Sequence, residues 1–147
     1  MIRSMSRGAR CVLSIVAVLL LASALYGVAN AAGLYDVIIT KASGQWVKIG
    51  VKAYGPVNCK VRELAPDVYN YRQVVMDVWP ATFSGVEPKE LIPVNDGLVA
   101  QVRLEQLTDD VVRIYADVIY WPKYEVVYEN GMPQLVLYSF NQRGTKN

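Results

Sequence analysis

The stretch richest in usable chemistry is Val111–Val118, where Arg113, Tyr115 and Asp117 recur at every second position between Val112, Ile114, Ala116 and Val118. Alternation with a period of two marks a half-buried strand, and successive strand side chains point to opposite faces. With the aliphatic set turned to a core, a cation, an aromatic ring and a carboxylate project together from the other face. In the preceding segment Gln101, Arg103 and Glu105 share that outward parity, so pairing the two segments across Thr108-Asp109-Asp110 joins six side chains into one patch. Tyr115 supplies an amphipathic ring of the kind enriched in recognition surfaces. Arg103 and Arg113 supply rigid forks of donors suited to carboxylates. The same six residues also fit a solvated face whose cross-strand pairs contribute roughly 0.2–1 kcal/mol each, and the pattern alone leaves both readings open.

Catalysis has little to build on. The chain has no histidine, which removes His-based metal sites, Ser-His and Cys-His nucleophile pairs and the commonest general base near neutral pH. The adjacent acids Asp109 and Asp110 fall in a turn, where Asp is favoured for its local backbone hydrogen bonds. No phosphate loop, metal-ligand spacing or nucleophile elbow is present. The expectation is a binding protein, not an enzyme, with no catalytic residue, no metal and no cofactor.

The elements that would position the patch follow from the same alternation. Ahead of them, Arg3, Arg7 and Arg10 precede an apolar run from Cys11 to Leu25, and Ala29-Asn30-Ala31 supplies the small residues of a cleavage site. This is the layout of a secretory signal peptide over residues 1–31, and an apolar run of about 15 is short for a membrane span, which needs roughly 20. An uncleaved leader is the one route to a membrane. Without those residues, 12 basic face 13 acidic residues, with no cationic cluster of the kind that phosphate neutralisation requires. A nucleic-acid partner is not expected. Cys59 is then the sole cysteine; an exported thiol can form an intermolecular link, while its parity with Val57 and Val61 favours a small apolar core residue.

Tyr35–Thr40 and Val47–Ala53 alternate on either side of a glycine-containing turn, as in a hairpin. Two further strands are expected over Val57–Arg62 and Tyr71–Val78. Residues 79–96 hold Pro80, Gly85, Pro88 and Pro93 and read as a linker between halves. Four more strands follow over Gly97–Glu105, Val111–Ile119, Tyr124–Tyr128 and Gln134–Ser139, before a polar tail over residues 141–147.

At an offset of 65, Val37, Ile39, Val47, Lys48, Ile49, Cys59 and Val61 fall on Val102, Leu104, Val112, Arg113, Ile114, Tyr124 and Val126; at 61, Gln73-Val74-Val75-Met76 falls on Gln134-Leu135-Val136-Leu137. The halves read as a duplication. The expected fold is an all-β sandwich of two similar four-stranded sheets over residues 32–140, with Lys48, Val75 and Asp77 forming the first half's outward row.

With VVRIYADV over Val111–Val118 and RQVVMDV over Arg72–Val78, the chain from about Tyr35 to Phe140 resembles the AMIN domain, the amino-terminal module of periplasmic cell-wall amidases and type IV pilus secretins. The resemblance implies a free-standing periplasmic module that binds peptidoglycan and helps localise an envelope assembly, with an amidase, secretin or pilus component as a further partner. The alternative is a protein–protein adaptor subunit of a secretion or type IV pilus machine. The amidase's catalytic domain and the secretin's membrane-inserting domain are not in this sequence, so neither activity is carried over.

Overall fold

The computed structural model describes residues 31–66, 68, 71–85 and 91–140; the predicted leader up to Asn30 and the tail from Asn141 lie outside the described residues. Ten strands make up the regular structure there: β1 (Ala32–Ala42), β2 (Trp46–Ala53), β3 (Asn58–Leu64), β4 (Arg72–Trp79), β5 (Ala81–Phe83), β6 (Leu91–Pro93), β7 (Val99–Thr108), β8 (Val111–Val118), β9 (Lys123–Glu129) and β10 (Met132–Tyr138). They form two five-stranded sheets, ordered β5-β1-β2-β10-β9 and β3-β4-β8-β7-β6.

Strand patterning decides where the core sits. The inward residues Val47, Ile49, Val51, Leu135 and Leu137 of the first sheet and Val74, Met76, Val78, Val102, Leu104, Val112, Ile114 and Ala116 of the second belong to one buried cluster. A sandwich-like arrangement results, held by apolar burial at roughly 25 cal/mol per Å².

Turn chemistry fixes the registers. Asn130 and Gly131 both take positive φ, 53° and 77°, the conformation of a tight two-residue hairpin turn for which Asn-Gly is the favoured pair. Between β1 and β2, Gly44 at φ 70° allows Gln45 N to donate to Ala42 O at 2.8 Å.

Two expectations are corrected. Each sheet has five strands rather than four, because residues 79–96 contain β5, parallel to β1, and β6, antiparallel to β7. Three-residue strands are too short to show a period, so proline and glycine dominate that stretch's pattern. Nor does each sheet belong to one half of the chain. The hairpin β1–β2 lies beside β9–β10, and β3–β4 beside β7–β8. Lys48 on β2 is therefore in a different sheet from Val75 and Asp77 on β4, and the expected row of those three does not form.

Candidate functional site

The outward face of the second sheet is ruled into three rows by its antiparallel registers. Lys60, Asp77, Arg113 and Glu105 make one row; Arg62, Val75, Tyr115, Arg103 and Leu91 make the next; Leu64, Gln73, Asp117, Gln101 and Pro93 make the third. The sequence-derived residues Gln101, Arg103, Glu105, Arg113, Tyr115 and Asp117 thus share one face, joined by β4 residues that sequence reasoning had assigned to another row.

Contacts knit the rows together. Asp117 is wholly buried and accepts from Gln73 Nε2 at 3.0 Å, Gln101 Nε2 at 2.6 Å, and both Nε and Nη2 of Arg103 at 3.1 and 3.0 Å. Arg113 grips Asp77 in the same two-pronged manner, Nε to Oδ1 at 2.5 Å and Nη2 to Oδ2 at 2.8 Å. Arg62 approaches the same carboxylate at 3.6 Å. Between the two forks lies the Tyr115 ring, with the Arg103 guanidinium carbon 4.7 Å and that of Arg113 5.9 Å from its centroid. The Tyr115 hydroxyl donates to Glu105 Oε2 at 2.7 Å.

Such a face is a packed layer, not a fringe of free charges. Val75, though outward, has no exposed surface, and the Arg113 and Asp77 side chains keep only 11% and 17% of theirs. The expected open row is corrected at Asp117, whose carboxylate lies beneath Arg103 and the two amides. Burying a carboxylate is tolerable because its lone pairs are filled by charge-assisted donors. The hydrogen bond to Asp77 holds the Arg113 guanidinium charged well beyond its usual range. Burial, reinforced by the bond to Glu105, pushes the Tyr115 phenol up. Gln101, Arg103 and Tyr115 remain half-exposed and Glu105 exposed, so these four form the solvent-accessible part of the ladder.

No family model matches the chain, and no curated protein matches it.

Gln73 and Arg62 belong to the ladder and were missed, and Asp77 belongs to it and not to the separate outward row expected for it. Their signal was their outward parity; what the sequence lacked was which hairpin β4 would adjoin. Cys59 lies at the margin of the core, its Sγ 3.7 Å from the Tyr128 hydroxyl on β9, and burial pushes its thiol up. Among the described residues no three His, Cys, Asp or Glu side chains lie together as a metal site.

The outward face of the first sheet differs. Its central strand β2 directs Lys48, Gly50 and Lys52 outward, with Ile38 of β1 and Gln134 of β10 opposite Gly50. A groove of about 590 Å³ opens there, lined by Tyr35, Lys48, Gly50, Lys52, Glu129 and Gln134 among others. Lys48 and Glu129 form a pair at 3.6 Å.

Proposed function

We propose that this chain is a non-catalytic periplasmic module of AMIN type that attaches to peptidoglycan and helps localise an envelope assembly. The observation that carries the reading is the Tyr115 ring held between Arg103 and Arg113 on an outward sheet face. Its neighbours are fixed by Asp117 and Asp77, so the aromatic and polar groups are ordered before any ligand arrives, and binding loses less side-chain freedom. In this reading Arg103 and Gln101 serve stem-peptide carboxylates and amides, Tyr115 and Glu105 frame them, and Arg113 and Asp117 hold the frame.

Strand order supports a duplicated ancestry for the module. Exchanging β1, β2, β9 and β10 for β7, β8, β3 and β4 turns the run β1-β2-β10-β9 into β7-β8-β4-β3, which is the second sheet's own order. The registers match under this exchange when β4 and β10 are offset by 59 and the other strands by 65. The last pair's alignment then differs by two residues from the offset of 61 read in the sequence, a shift that preserves the face.

Co-sedimentation with purified sacculi tests the function. The wild-type chain is expected to be retained and the folded Tyr115→Ala, Arg113→Ala double variant to be released; failure of folded wild type to sediment refutes wall binding. One observation favours the adaptor alternative. The strands β9 and β3 each span seven residues, and each is the last strand of its sheet. The Cys59–Tyr128 contact puts them on one flank, offering main-chain edges to an extended partner segment. Co-purification of one envelope protein that survives the Tyr115 and Arg113 changes would favour this role.

A further inference from the structure

The central strands of the two sheets set up a natural comparison. On β8 the middle outward residue is Tyr115, whose ring fills the space between its neighbours; on β2 it is Gly50, flanked by Lys48 and Lys52. Space that an aromatic ring occupies on one face is taken on the other by the smaller side-chain amide of Gln134, and a groove of about 590 Å³ is lined by both Gly50 and Gln134. Its size is within the roughly 300–1,000 Å³ typical of ligand sites. The amide carbon of Gln134 lies 3.2 Å from where a Gly50 Cβ would stand, so an amide covers the buried Gly50 backbone and forms part of the floor.

The geometry points to this groove as a second ligand site, taking an N-acylated saccharide chain. The lining carries the chemistry for it. Gln134 and Asn130 each offer a donor and an acceptor, matching hydroxyls and acylamido groups; Tyr35 and Ile38 offer apolar surface to the C–H face of a pyranose ring. The charges of Lys48 and Glu129 cancel locally, leaving the exposed Lys52 as a donor at the rim, too little positive charge for a phosphorylated polymer. Tyr35 itself packs against Tyr54, with ring centroids 4.4 Å apart and the planes tilted by 32°. The site lies on the opposite sheet from the Tyr115 ladder and rests on the wall-binding reading, to which it assigns the glycan.

Amide-resolved NMR titration with tetra-N-acetylchitotetraose tests it. Shifts are expected at Gly50, Lys52, Asn130 and Gln134. Gly50→Tyr, which fills the groove as Tyr115 fills its counterpart, is expected to weaken binding at least tenfold. Should Gly50→Tyr fail to fold, the Lys52→Glu, Gln134→Ala double variant serves, with the same loss expected, and Asp109→Asn in the exposed β7–β8 turn serves as the neutral control. No shifts in the groove, or unaltered affinity in a folded groove variant, overturns the proposal. Sacculus co-sedimentation separates the two readings: retention on sacculi without tetrasaccharide binding refutes the groove alone, whereas no retention of wild type refutes both.

Discussion

The outer faces of the two sheets spend the same kinds of residue in opposite ways. On the second sheet, guanidinium groups and carboxylates bind one another in two-pronged pairs around Tyr115, and even outward Val75 is covered. On the first sheet, two lysines flank a glycine, and the face opens into a groove. Charge content is a poor guide to which face is available. What matters is whether each cation finds its counter-ion on the adjoining strand, and hence which strands adjoin.

The largest effect that sharpens this contrast is on the ladder. Asp117→Ala removes the acceptor shared by Arg103, Gln73 and Gln101, and leaves a cation and two amides facing a void. Because Arg103 keeps about a third of its side chain in water, the expected cost is about 3 kcal/mol, the lower end for a broken buried pair, read as a lower midpoint in urea unfolding. A change below about 1 kcal/mol, the scale of an exposed pair, would break the picture of a closed layer.

Swapping the central residues comes next. Tyr115→Gly removes a half-buried ring and weakens the strand, at an expected cost of about 2 kcal/mol. Gly50→Ala is expected to change stability by less than about 1 kcal/mol, because a strand glycine is itself unfavourable and only the side-chain amide of Gln134 must yield by a few tenths of an ångström. Equal penalties at the two positions, measured by the same unfolding curves, would erase the distinction between faces.

The smallest effect concerns pH. Burial raises the Tyr115 phenol, so the folded protein holds that proton more tightly than the unfolded chain. Stability is full below the ordinary tyrosine value of about 10 and falls as pH climbs past it. Tyr124, Tyr128 and Tyr138 are also raised; Tyr115→Phe is therefore expected to make the alkaline decline shallower without removing it. An identical slope in the variant would show that the phenol is not held by its surroundings.

Much of this was legible before any coordinates. Period-two runs located the eight long strands, and the inward set Val112, Ile114, Ala116 and Val118 is buried as expected. Side-chain parity also gathered all six candidate residues on one face. Three things were not legible. The short strands β5 and β6 are held by neighbours and not by a pattern of their own. The interleaving of hairpins depends on pairings between distant segments, so Asp77 was placed away from Arg113 although their registers meet. And Gly50 reads in the sequence as one more outward position on β2; only the matching register of Ile38 and Gln134 turns it into the floor of a groove.

The central claim, that one face is locked by its own ion pairs, is tested most directly by NMR of the arginine side chains. Held forks resist rotation and shield their protons. The account predicts slowly exchanging Nε–H signals and distinct, unaveraged Nη signals for Arg103 and Arg113, with fast exchange for the more exposed Arg62. Fast exchange and averaged Nη signals for Arg103 and Arg113 would contradict it.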